Sequence, residues 1–184
     1  MRTRAGSFCP VAIWHGDEET PDWDLVRNGV VTKFFDPVIL SETTGWLEEH
    51  GYRIVAVDAG EWNDKSAMHD DVAAALHFPN YTGGNLDALV DYLRGVIDQD
   101  YGWATSDTGL VLVVHRFDEF HAKDQRNAHA LVDIWADAAR RASLLGHRMI
   151  CLVQSSDPRL EIADVGGTSP GWNHREWLNK NRVG

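Results

Sequence analysis

Gly109-Leu110-Val111-Leu112-Val113-Val114 carries no polar side chain after its glycine. A strand that faced water on one side would alternate apolar with polar, so this run is expected to be buried on both faces of a sheet. Working outward, Tyr52-Arg53-Ile54-Val55-Ala56-Val57-Asp58 is a second β-rich run, and Met149-Ile150-Cys151-Leu152-Val153 a third. Helical spacing fills the intervals. Residues 65–77 place Met68, Val72, Ala75 and Leu76 on one side, and Phe78-Pro79 ends that helix. A second helix begins at a cap on Asn85. A third, over roughly 126–145, carries the stripe Ala128, Leu131, Val132, Trp135, Ala138, Ala139, Ala142 and Leu145 before Gly146 closes it. Strand, helices, strand, helix, strand predicts an α/β domain with a three-stranded parallel sheet, flanking helices and right-handed crossovers.

The flanks read differently. Residues 1–51 form an N-terminal extension, in which Trp23–Arg27, Asn28-Gly29 and Val30–Phe35 predict a β-hairpin, because Asn-Gly accepts the positive φ angles of a tight turn. Ser41 is expected to cap a short helix running to His50, stopped by Gly51. Residues 52–154 form the domain itself. Residues 155–184, with Pro158, Gly166-Gly167 and Pro170-Gly171, predict an irregular C-terminal strap packed on that domain through Trp172 and Trp177.

Composition narrows the function classes. The chain of 184 residues is 43% hydrophobic and 24% charged, which is compatible with one well-cored domain. No apolar run reaches the roughly 18 residues of a membrane helix, and Met1-Arg2-Thr3-Arg4 lacks a following apolar signal core, so a cytoplasmic protein is expected. Cys9 and Cys151 fit no metal spacing, and no cofactor motif is present. Seventeen Lys+Arg against 28 Asp+Glu leave a net charge of −11. The deficit concentrates in residues 58–100, where nine acids face only Lys65 and Arg94. Such a surface repels nucleic acid and anionic membrane, and it attracts cationic partners.

The most informative stretch is 78–98, Phe-Pro-Asn-Tyr-Thr-Gly-Gly-Asn-Leu-Asp-Ala-Leu-Val-Asp-Tyr-Leu-Arg-Gly-Val-Ile-Asp. Leu86, Leu89, Val90, Leu93, Val96 and Ile97 gather on one side of a helical wheel, while Asp87, Asp91, Arg94 and Asp98 fall close together on another. Most polar helix stripes are simply solvated. Here, however, Asp87 and Asp91 are like charges at i,i+4, which a free helix disfavours, and only Asp87 lies in the first turn, where the helix dipole compensates. A loop with an exposed tyrosine, Tyr81, and two glycines, Gly83 and Gly84, precedes them. A tyrosine beside two unpaired carboxylates imitates a base and phosphates, as a plug for a cationic phosphate-binding cleft would.

The run Phe78-Pro79-x-Tyr81-x-Gly83-x-Asn85-Leu86-Asp87-Ala88-Leu89-x-Asp91-x-Leu93 resembles the barstar family, intracellular inhibitors of secreted guanyl-specific ribonucleases such as barnase. The resemblance covers roughly residues 52–154 and implies a barstar-like fold and a protein that binds rather than catalyses. The longer chain, with its 153–159 segment and Trp-rich tail, is similar to a longer actinobacterial branch of the family. The resemblance implies that Tyr81 packs over the ribonuclease cleft and Gly83 allows close backbone contact. It likewise implies that Asp91 enters the phosphate site, Asp87 pairs with its rim, and Asp137 adds a charge from the last helix. Val90 and Val96 stand where the family usually has tryptophan, and Arg141 where it has a second acid. These differences point either to a different ribonuclease or to a scaffold that no longer binds one. The implied partner is a secreted barnase-like ribonuclease, which would make this an immunity protein.

A competing constellation is His115-x-x-Asp118-x-x-His121 after the buried strand, which has the ligand types of a metal-dependent hydrolase with an open position for water. It lacks a helical i,i+4 histidine pair. His69-Asp70-Asp71 is expected to be a solvated helix edge.

Overall fold

A computed structural model describes residues 20–27, 29–81 and 84–177. Among the described residues, six helices surround a five-stranded sheet: α1 (Pro21–Val26), β1 (Val31–Phe34), α2 (Pro37–Glu49), β2 (Tyr52–Asp58), α3 (Lys65–Ala75), α4 (Leu86–Ile97), β3 (Gly109–His115), α5 (Phe117–Lys123), α6 (Gln125–Leu144), β4 (Met149–Gln154) and β5 (Gly171–Trp172). The order is β2-β3-β4-β1-β5, and every pairing is parallel. The three strands read from the sequence are therefore β2, β3 and β4, with β3 between the other two. The three-stranded expectation is two strands short.

Both missing strands come from the flanks, and each corrects a local reading. The expected hairpin over Trp23–Phe35 does not form. Pro21 at the first helical position, with Asp22 and Asp24 in the first turn, starts α1 instead. Its exit passes Gly29 at φ +122°, into β1, which lies parallel to β4 with Val31 opposite Cys151. Asn28 of the predicted turn lies outside the described residues. The helix after β1 is capped by Asp36, whose side chain accepts from Val38 N at 2.9 Å, with Pro37 following; Ser41 lies inside it.

This N-terminal unit is what makes an apolar β3 necessary. Leu110, Leu112 and Val114 point into a core shared with Met68, Leu89, Trp135 and Ala139 beneath α3–α6. Val111 and Val113 point the other way, into a second core with Leu25, Leu40 and Leu47 of α1 and α2. A buried network anchors the unit: Tyr52 Oη donates to Asp22 Oδ2 at 2.7 Å, and Arg148 Nη1 donates to the same oxygen at 2.7 Å.

The C-terminal segment is largely irregular, and of its two tryptophans Trp172 packs on the domain as expected while Trp177 does not. Trp172 is half-buried in β5, with Lys33 Nζ 4.8 Å from its ring centre, whereas Trp177 is 60% exposed. The anchor is Glu176, which is fully buried and accepts from Phe35 N at 2.8 Å and Asp36 N at 2.9 Å. Among the described residues no helix is long and apolar enough to cross a membrane.

Candidate functional site

Helix α4 presents the acidic stripe. Asn85 Oδ1 accepts from Ala88 N at 2.8 Å and fixes the start of the helix, so Leu89, Leu93, Val96 and Ile97 turn inward. Asp87 and Asp91 consequently face solvent, one turn apart. Among the described residues Asp87 makes no ion pair. Asp91 does make one, and this corrects the expectation of two unpaired carboxylates: Arg94 Nη1 donates to Asp91 Oδ1 at 2.6 Å. The pair is exposed, with Asp91 at 67% and Arg94 at 59%, so it is weak and exchangeable.

Tyr81 is not exposed as expected. It is half-buried in an aromatic cluster, its ring centre 5.0 Å from that of Tyr92 and 5.5 Å from that of Phe78. Its hydroxyl shares a 2.7 Å hydrogen bond with His69 Nδ1 on α3. His69 is buried, not a solvated edge, and burial holds its imidazole below the ordinary histidine pKa. Tyr92 Oη donates to Pro79 O at 3.0 Å, and Tyr101 Oη donates to Tyr92 O at 2.6 Å, so the loop before α4 is braced from behind. Gly83 lies outside the described residues.

Across from α4, α6 carries Asp137, half-exposed and paired with Arg141 Nε at 2.8 Å and Arg140 Nη2 at 3.3 Å. A groove of about 190 Å³ separates the two helices, with Val90, Leu93, Ile97, Ile134 and Ala138 as its apolar floor. Arg94 lines one wall and Asp133, Asp137 and Arg141 the other. Val90 is therefore half-buried at the groove edge beside Asp91, and the candidate residues on α4 and α6 share one face of the molecule. That face is less acidic than its composition implies, because Asp91 and Asp137 already hold arginines.

His69, Tyr92 and Tyr101 were missed as supports of the site. A signal existed for His69, since it continues the buried stripe through Val72 and Leu76 at i+3 and i+7. The tyrosines carried none, because which backbone carbonyl a phenol reaches depends on the tertiary path.

The alternative metal set is not assembled. Among the described residues no group of three or more His, Cys, Asp or Glu side chains could hold an ion. Asp118 Oδ2 instead accepts from Ser156 Oγ at 2.7 Å, and the His121 ring packs against Phe117 with 5.8 Å between centres. The Cys151 thiol is buried in the sheet, and burial pushes its pKa up.

The Bacillus subtilis (strain 168) protein named "Putative ribonuclease inhibitor YrdF" is 41% identical over 46 residues, covering 25% of this chain and 50% of that protein. The chain thus spans half the length of the relative it matches. The family described as Barstar (barnase inhibitor) matches residues 52–154, from the first residue of β2 to the last of β4. With more than half of its length matched, this chain belongs to the barstar family.

Proposed function

We propose that this protein is an inhibitor that blocks the cationic active site of a secreted, guanyl-specific, barnase-like ribonuclease with the face made by α4 and the loop before it. The observation that carries the reading is the pair Asp87 and Asp91, both exposed and one turn apart on a helix whose other side is locked in the core. Asp91 would enter the phosphate pocket and Asp87 the rim, with Tyr81, Val90 and the Gly83 backbone in contact and Asp137 contributing from α6. The protein binds and does not catalyse; it acts in the cytoplasm, on a partner it meets before that enzyme is exported. In this reading residues 52–154 are the binding unit, and the flanking segments complete its sheet.

Ribonuclease activity on an RNA substrate, titrated with wild-type protein and two variants, tests it. Asp91→Ala should weaken inhibition by at least about thirtyfold, the range for one partner of a charge pair desolvated at an interface. Asp100→Ala, on the exposed turn after α4, should change it less than about twofold. Equal losses in the two variants would refute the mechanism. The association rate of the wild type should also fall steeply with added salt.

A further inference from the structure

Arg94 stands inside the candidate site, yet the plug mechanism assigns it no task. Its guanidinium donates to Asp91 Oδ1, the acid on which that mechanism depends. The same side chain lines the groove between α4 and α6, whose opposite wall carries Asp133, Asp137 and Arg141. Asp98, exposed, lies four residues further along α4, where helical geometry makes it Arg94's neighbour on the other side. Asp137 is already held by Arg140 and Arg141, and Asp133 accepts from Gly166 N at 2.9 Å through one oxygen, so Asp98 and the second oxygen of Asp133 are the carboxylate positions left to the arginine.

In water this arrangement has little consequence, because an exposed pair is weak and its side chains exchange rotamers rapidly. Against a ribonuclease it acquires one. Closing the interface excludes water and strengthens every charge interaction within it. The enzyme's cations and Arg94 then compete for one carboxylate, and they repel each other if both stay. Arg94 must leave Asp91, and the groove receives it. Val90, Ile97 and Ala138 can cover its methylene stem, while Asp98 and Asp133 take its head.

Resting on the ribonuclease-plug reading, we propose that Arg94 is the specificity-determining residue of this surface, an internal cation that guards Asp91 and yields it only to a cleft presenting more than one positive charge. A singly charged cleft merely exchanges one exposed pair for another and gains nothing. A cleft built to hold a doubly charged phosphate displaces the guanidinium.

The test is a kinetic and equilibrium binding series against barnase and a panel of guanyl-specific ribonucleases at low salt. The proteins are wild type, Arg94→Gln, Asp91→Asn, the double variant, and Arg159→Gln. The last makes the same charge change on an exposed loop that does not line the groove. Arg94→Gln should bind about fivefold more tightly than wild type, the scale of one exposed ion pair. Arg159→Gln should bind within about twofold of wild type. The gain from Arg94→Gln should vanish when Asp91 is already Asn, which separates the guarding of Asp91 from a general effect of charge. A gain no larger than that of Arg159→Gln, a loss of affinity, or a gain that persists in the Asp91→Asn background overturns the proposal while leaving the plug reading intact. If wild type and Asp91→Asn bind the enzymes equally, or no panel member is bound at all, the plug reading fails and the guard with it.

Discussion

The Tyr81 hydroxyl and His69 Nδ1 lie 2.7 Å apart, one on the loop before α4 and the other buried on α3. This bond ties a residue of the candidate binding face to the core of the domain. Its other ring nitrogen, Nε2, is buried without a partner among the described residues. The imidazole therefore positions Tyr81 more than it stabilises the fold. His69→Leu should leave the urea midpoint nearly unchanged, since burying an apolar group of similar size offsets the lost bond. Ribonuclease affinity should fall about threefold to tenfold, because Tyr81 must then be ordered at the moment of binding. Tyr81→Phe should match it. If His69→Leu loses stability and keeps its affinity, the positioning role is wrong.

Glu176 makes the opposite kind of contact. Its buried carboxylate accepts two backbone N–H groups at the entrance to α2, next to the positive end of the helix dipole. Glu176→Ala leaves two half-buried donors unanswered, and should cost about 1–3 kcal/mol in denaturant unfolding. Glu176→Gln, which keeps an acceptor, should cost less. A loss below about 1 kcal/mol for the alanine variant would show that the C-terminal segment is not anchored there.

Stability should also fall in acid, through Asp22. Burial alone would raise the pKa of this carboxyl, but the hydroxyls of Thr20 and Tyr52, the charge of Arg148 and the Trp23 backbone N–H together outweigh it and hold the group below its ordinary value of 3.8. A carboxylate whose folded pKa is depressed contributes stability that is complete above its unfolded value and is lost as pH falls through the folded one. Urea midpoints should therefore drop as pH is lowered from about 4 toward 2, and Asp22→Asn should flatten that slope. Asp58, held low chiefly by its hydrogen bonds from Arg116, adds the same sign, but it is more exposed and adds less. Equal slopes in wild type and Asp22→Asn would remove Asp22 as the cause.

Much of this molecule was written locally. The unbroken apolar run at 109–114 required cover on both faces, and the structure supplies it. The α6 stripe from Ala128 to Ala142 and the Asn85 cap appear where their spacing placed them, because period and capping depend on neighbours within a few residues, whereas Leu145 lies exposed just past the helix end. The wheel of α4 likewise put Asp87 and Asp91 on the solvent side, since the buried positions of a helix leave its remaining side chains only one direction.

What failed is what depends on distant partners. Val30–Phe35 was legible as a strand, but which strand it would join was not. Asn28-Gly29 looks like a hairpin turn only until β4, more than a hundred residues away, offers an open edge in parallel. The second core explains the choice: β3 and β4 need apolar cover on their back face, and α1 and α2 reach it only if β1 runs beside β4. The ion pairs of the candidate face belong with the local features, since Arg94 stands at i,i+3 from Asp91, and Arg140 and Arg141 at i,i+3 and i,i+4 from Asp137. Only the packing of α4 beside α6, which puts those pairs across one groove, was left to the fold. Pattern within one element follows from helix and strand periods that any segment carries by itself; pairing between elements is a competition among the whole chain's surfaces, and only the assembled fold resolves it.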